Sequence, residues 1–240
     1  MTEILNILTD TLHRPFEIPS GQWKYYQEWN KALFLHWEVP FEALKRYVPD
    51  YLNIDKFGGR CYVSLVAFTM QNIRPRYLPS LSYISDFHEL NLRTYIDQDN
   101  KKGVYFLNIE AEKYISAFIA KSLSGLPYEK SHIRRTDKEY KSSNVIKDFF
   151  LDAEFVIKEE LVQKSNLDSW LTERYCLYLD INNEMFRYDI HHKEWEINDV
   201  EITRLNLSYK IGDICLSGQH PDLAHYSNGV KVLAWGRQKI

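Results

Sequence analysis

At 240 residues, with 45% apolar and 26% charged residues, the chain has the composition of a folded protein and lies far from that of a disordered one. A net charge of −3, from 30 basic and 33 acidic residues, excludes the basic footprint of a nucleic-acid binder. The cation pairs Lys45-Arg46, Lys101-Lys102 and Arg134-Arg135 are short and scattered, as on a solvated surface.

Aromatic residues stand out, with 17 Tyr, 12 Phe and 6 Trp, and rings suit the pleated, half-buried surface of a sheet. Residues 2–12 carry Ile4, Leu5, Leu8 and Leu12 at helical spacing and read as a docking helix. Pro15 and Pro19-Ser20-Gly21 then break the chain. Residues 32–39 are apolar and aromatic, hence a strand. Pro40 suits the start of a short helix through Tyr47, which Pro49 stops. Residues 60–70 are almost continuously apolar, so both faces of that strand should be covered. Residues 71–86 read as a long Pro/Ser/Arg loop, a length often tied to function. Residues 87–96 and 104–109 form a hairpin about a polar turn at 97–103. Residues 111–123 carry Ala111, Tyr114, Ile115 and Phe118 at i, i+3, i+4 and i+7 and predict the main helix, capped by Gly125 and stopped by Pro127. Residues 134–147 are polar, exposed strand or loop. Short strands follow near 153–160, 175–181, 185–191, 196–206 and 230–235. No repeat, low-complexity stretch or linker divides the chain, so residues 1–240 are expected to form one domain, with 1–30 as the N-terminal helix and lead-in.

No apolar stretch reaches the length of a membrane span, and residues 1–10 lack the layout of a signal peptide. Cys61, Cys176 and Cys215 are too few and too far apart for a disulfide framework or a CxxC metal site. The expected location is the cytoplasm.

Four clusters could carry chemistry. In Glu89-Leu90-Asn91-Leu92-Arg93, strand alternation puts Glu89, Asn91 and Arg93 on one face and the two leucines on the other. Spacing alone favours an ordinary amphipathic strand. If that face were enclosed, Arg93 could grip a carboxylate and Glu89 could move a proton. A buried arginine needs a partner, and Glu89 is the expected one when no ligand is bound. In Tyr128-Glu129-Lys130, an extended chain would send Tyr128 and Lys130 one way and Glu129 the other. Thr172-Glu173-Arg174-Tyr175 reads first as a strand entry with a local surface ion pair. In His191-His192, neighbours on a strand face opposite ways, so one buried histidine with a hydrogen-bond partner is preferred to a metal site. The sequence has no GxSxG elbow, Walker loop, GxGxxG after a strand, or HExxH, and no cofactor is expected.

Several segments, taken in order, carry a resemblance: Leu33-Phe34-Leu35-His36-Trp37, Val39-Pro40, Gly59-Arg60, Val63 to Phe68, and Ile73-Arg74-Pro75-Arg76. Phe87 to Tyr95, Leu126-Pro127-Tyr128, Leu171 to Tyr178, Ile190-His191-His192 and Val232 to Trp235 continue it. The chain resembles the YqjF-like family of bacterial proteins of unknown function, a relative of acetoacetate decarboxylase, from about Leu33 to Trp235. The resemblance implies an α+β, predominantly β fold: an antiparallel closed barrel or cone of the acetoacetate decarboxylase-like type, with one main helix and short peripheral helices. It turns the Glu89 face inward, onto an enclosed polar pocket. In the decarboxylases the segment matching Pro127-Tyr128-Glu129 reads Pro-Lys-Lys; the first lysine forms an imine with substrate and the second depresses its pKa. Here Tyr128 and Glu129 stand in those places. A phenol forms no imine and a carboxylate cannot lower a lysine pKa by repulsion, so the fold is implied and the reaction is not. Lys130 is the one nearby substitute.

The expected function is therefore a pocket for a small anionic or carbonyl-bearing metabolite in a lyase-like enzyme without a Schiff-base lysine. Glu89 and Tyr128 would be the catalytic pair. Arg93, Asn91, Arg74, Glu173, Arg174 and His191 would bind substrate. The alternatives are a non-catalytic binding or sensing protein with the same pocket, and a protein that acts through its surface. No nucleic-acid or membrane partner is expected, and the decarboxylase resemblance leaves room for a homo-oligomer.

Overall fold

A computed structural model describes residues 2–113, 128–181 and 183–240. Helix α1 (Thr2–Thr9) leads into β1 (Tyr25–Val39), and α2 (Phe41–Leu44) comes directly after it. Then come β2 (Cys61–Pro75), α3 (Ser82–Ser85), β3 (Phe87–Gln98), β4 (Lys101–Ala111), β5 (Tyr128–Lys130), β6 (His132–Arg135), β7 (Glu139–Asn144) and β8 (Phe149–Glu160). Helix α4 (Asn166–Thr172), β9 (Cys176–Ile181), β10 (Glu184–His191), β11 (Asn198–Ser208), β12 (Lys210–Ile211), β13 (Ile214–Cys215), β14 (Leu223–Ala234) and β15 (Gln238–Lys239) complete the chain. The molecule is mostly β. Ala111, expected to open the main helix, instead ends β4, and residues 114–123 of that expected helix lie outside the described residues. Among those described, no helix is long and apolar enough to cross a membrane.

Among the described residues, thirteen strands join one sheet, in the order β15-β10-β9-β4-β3-β2-β1-β14-β11-β8-β7-β6, with β5 added beside β4. Strand β10 also pairs β14 through Ile190↔Ala234 and His191↔Leu233, so the path of pairings returns on itself. Most pairings are antiparallel; β4–β5 and β4–β9 are parallel. The β3–β4 hairpin turns on two residues, Asp99 and Asn100, both at positive φ (55° and 59°), where Asn and Asp are among the side chains that best tolerate this geometry.

The central strands are covered on both faces, as the continuous apolar run of β2 predicts. Leu33, Leu35, Val63, Leu65, Leu90 and Leu92 pack on one side against Tyr140 of β7, Leu151 and Phe155 of β8, and Tyr209, which lies just past the end of β11. Ala32, Phe34, Val66, Phe68, Met70 and Phe87 face the other way. Two bulges adjust this alternation. At Lys31 (φ 53°) the β1 register against β2 slips between Asn30 and Leu33, and at Asn72 (φ 54°) β2 slips between Gln71 and Arg74.

Three elements depart from expectation. In α1 the buried stripe is Ile4, Ile7 and Leu8, while Leu5 is exposed and Leu12 lies beyond the helix end. Residues 71–86 are strand as far as Pro75 and then carry α3, since β2 stays paired with β1 up to Tyr25↔Pro75. Helix α4 escaped the sequence reading, although Ser165 and Asp168 form a full capping box.

Gly103 marks a close crossing. A Cβ there would meet the backbone oxygen of Cys176 at 2.4 Å. Gly103→Ala is expected to destabilise the protein by about 1–3 kcal/mol, because backbone cannot yield as a side-chain tip can. Urea unfolding measures this, and an unchanged midpoint would contradict it.

Candidate active site

Beside the Phe34–Phe68 face lies a cavity of about 350 Å³. The bulges decide which side chains reach it. On β1, Tyr25, Gln27 and Trp29 line it before the Lys31 bulge and Ala32 and Phe34 after it; on β2, Val66, Phe68 and Met70 line it before Asn72 and Ile73 and Pro75 after it. A strand without a bulge would present only one parity. Glu89, Asn91 and Arg93 of β3 all line the cavity, while Leu90 and Leu92 enter the opposite core.

Tyr128 enters from β5, which runs parallel to β4 with Ile109↔Tyr128 paired. Its hydroxyl donates to Glu89 Oε2 at 2.9 Å, and Asn91 Nδ2 donates to Glu89 Oε1 at 3.0 Å. Glu89 is 3% exposed. Burial pushes its carboxyl up to about 7, against the opposing pull of the Asn91 and Tyr128 hydrogen bonds and the Arg93 charge. A carboxyl poised near neutrality beside a phenol can give or take a proton at ordinary pH. Burial and the neighbouring Glu89 together hold the Tyr128 phenol well above its usual range, so it acts as a donor.

Arg93 does not pair with Glu89, contrary to expectation. Glu89 is occupied by Asn91 and Tyr128, and Arg93 forms no ion pair among the described residues. Its guanidinium lies 5.6 Å from the Phe34 ring centroid and hydrogen-bonds toward Tyr95, and its buried Nε has no partner among the described residues. Arg74 lines the cavity at half-buried depth, with its guanidinium 4.7 Å from the Tyr26 ring centroid.

Glu173, Arg174 and His191 do not line the cavity. Glu173 accepts from Lys164 Nζ at 3.2 Å, from the Tyr175 hydroxyl and from Trp195 N at 3.0 Å, so it fixes the loop that delivers Trp195 to the wall. Arg174 donates to Asp55 Oδ2 at 2.6 Å and to the Trp170 carbonyl at 2.7 Å, and its guanidinium stacks on the ring of Tyr95. His191 Nε2 lies 2.7 Å from the Ile7 carbonyl, and Arg14 reaches its Nδ1 at 3.1 Å, so His191 docks the N-terminal segment. Its neighbour His192 is buried as well, and desolvation lowers His191 to about 4 and His192 to about 3. Lys130 is exposed and lies outside the cavity lining, while Glu129 bonds Lys147 and Asn144.

The sequence reading missed two features. The lining is mainly apolar rather than polar: rings of Trp29, Phe34, Phe68 and Trp195 form a continuous wall, with Trp29 stacked on Trp195 at 6.3 Å and Phe34 edge-on to Trp195 at 5.2 Å. A buried polar chain also runs behind Arg93. Ser64 bonds the Tyr95 hydroxyl; His36 Nδ1 lies 2.6 Å from Ser64 Oγ; His36 Nε2 lies 3.1 Å from His225 Nδ1; and His225 Nε2 lies 3.1 Å from Asp168. The available signal was a histidine and a serine inside apolar runs, since a buried polar group needs a partner.

Comparison with known proteins places this arrangement. A chain of similar fold is an acetoacetate decarboxylase-like enzyme from Sphingomonas wittichii RW1, at TM-score 0.62 and 14% identity over 94% of this chain and 97% of that one. Another is the enduracididine biosynthesis enzyme MppR complexed with pyruvate, at TM-score 0.61 and 10% identity over 94% and 93%. The uncharacterized protein YqjF of Bacillus subtilis (strain 168) is 34% identical over 230 residues, 92% of this chain and 95% of that protein. A family model of uncharacterized conserved proteins, DUF2071, matches residues 26–231. With the acetoacetate decarboxylase-like fold and most of its length accounted for in this way, the chain belongs to the DUF2071 family.

Proposed function

We propose that the cavity is a small-molecule pocket in which Glu89 and Tyr128 exchange protons with a carbonyl-bearing anion, with no imine formed. The returning path of strand pairings acts as a closed cone around it, and the chain works as one domain. The observation that carries the reading is the hydrogen bond from Tyr128 to a buried Glu89 poised near pH 7, at the wall of the cavity. Tyr128 donates to a substrate carbonyl oxygen as negative charge develops there, Glu89 takes a proton from the adjacent carbon, and Arg93 holds the anionic end. Asn91 keeps the Glu89 carboxylate aimed. The pyruvate complex of MppR supports a 2-oxo acid as a probe of this chemistry. Three free cysteines fit a reducing cytoplasm.

In deuterated water, the protein is expected to speed exchange of the C3 protons of 2-oxohexanoate. Glu89→Gln and Tyr128→Phe should each lower that rate by about 10²–10⁴-fold. Borohydride added with acetoacetate should leave no adduct, because Tyr128 stands in the lysine position and Lys130 is outside the cavity. A reduced adduct mapped to Lys130 would revive lysine chemistry. Binding of the oxo acid without any exchange would leave the non-catalytic binding or sensing reading, which the mainly apolar lining favours as the alternative.

A further inference from the structure

We infer that the site is built for an apolar monocarboxylic acid, with its carboxylate toward Arg93 and its hydrocarbon body among Trp29, Phe68, Met70, Phe87 and Trp195, rather than for a small polar metabolite. The inference rests on reading this cavity as a ligand pocket.

Three observations carry it. The first is the unanswered cation. Arg93 is 8% exposed, lines the cavity, makes no ion pair among the described residues and leaves its buried Nε without a partner. A guanidinium fork in a dry wall is matched by a carboxylate, which supplies charge and two acceptor atoms together. The second is the sparseness of further positive charge. Among the described residues, Arg74 alone adds a cation to the lining, at half-buried depth and held against Tyr26, while Glu89 sits on the same strand face as Arg93. A dianion would meet Glu89 without a second buried cation to balance it, so a single negative charge fits. The third is size and surface. A volume of about 350 Å³ holds on the order of a dozen non-hydrogen atoms, if each takes roughly the 30 Å³ share of a water molecule. Pyruvate or acetoacetate would leave about half of it unfilled, and water gains few partners against aromatic rings. The remainder is shaped for apolar atoms: the Trp29–Trp195 stack and the Phe68 ring form one wall, and Leu78 and Leu81 carry the apolar lining to exposed positions.

The test is calorimetric titration of the native protein with straight-chain acids from acetate to decanoate and with the matching primary alcohols. Affinity for the acids should rise about fourfold per methylene until the cavity is full. Each alcohol should bind on the order of a hundredfold more weakly than its acid, because it cannot pair the buried guanidinium. Arg93→Met should erase that difference while keeping the chain-length dependence; the native acid–alcohol comparison decides the matter if the variant fails to fold. Quenching by 8-bromooctanoate should fall in Trp29→Phe and Trp195→Phe, placing the tail against the aromatic wall. Affinities for pyruvate, acetate and octanoate that match one another would overturn the ligand class and leave the pocket reading standing. Alcohols binding as tightly as acids would overturn the Arg93 anchor. No binding by any acid of the series, pyruvate or 2-oxohexanoate would overturn both the inference and the pocket reading beneath it.

Discussion

Arg93→Ala is expected to weaken binding of octanoate by about 2–5 kcal/mol, the range for truncating one partner of a buried charge pair. The stability of the free protein should move the other way or stay level. Arg93 is buried without a counter-ion among the described residues, and its Nε is unpartnered, so the native fold already carries its desolvation cost. Removing an uncompensated cation relieves that cost, whereas breaking a real Arg93–Glu89 pair would strand a buried carboxylate. The two measurements together discriminate. Chemical denaturation without ligand should show no loss beyond that of the small cavity left behind. The same experiment with saturating octanoate should stabilise the native protein by the linkage of ligand to the folded state and should stabilise the variant far less. A large loss of stability in the absence of ligand would mean that Arg93 is a structural ion-pair partner, and the anion site would be lost with it.

Glu89→Gln is expected to stabilise the protein at alkaline pH by about 3 kcal/mol and to change little below pH 4.5. Burial raises the Glu89 carboxyl from 4.5 to about 7, so the folded chain holds this proton more tightly than the unfolded chain does. The contribution of the group is therefore fully present below the unfolded pKa and is lost as pH rises through about 7. A glutamine keeps the neutral, hydrogen-bonded form at every pH: its oxygen can still accept from Tyr128 or Asn91, and its amide adds a donor. Glu110 and Glu173 are also buried carboxyls held above their usual range, so the wild-type curve mixes several groups. The difference between variant and wild type, measured by urea unfolding from pH 4.5 to 9, isolates Glu89. A flat difference would mean that Glu89 is solvated, and its proposed role as a proton carrier near neutrality would fall.

Much of the site was legible where it depended on local periodicity. The alternation of Glu89, Asn91 and Arg93 against Leu90 and Leu92 survives in the structure because both faces of β3 are buried and a slip of one residue would exchange them. The placement of Tyr128 beside Glu89 came from the decarboxylase resemblance, and the hydrogen bond between them agrees with it. Glu173, Arg174 and His191 misled because a conspicuous polar motif says nothing about which partner it finds. Glu173 finds Lys164 and the Trp195 amide, Arg174 finds Asp55, and His191 finds the Ile7 carbonyl.

The β-rich character, the two-sided burial of the central strands and the composition of the β3 face were all present in the order of residues. Each depends on residue type and period, which act over a few neighbouring positions. The lack of an ion pair at Arg93 among the described residues, the mainly apolar cavity and the polar chain from Asp168 to Tyr95 arose only when distant segments met. Those outcomes depend on bulges at Lys31 and Asn72, which reverse the inward parity of β1 and β2, and on Trp195 arriving from a loop far along the chain from either strand. A bulge is a change of register between two strands, and neither strand alone carries the information that sets it.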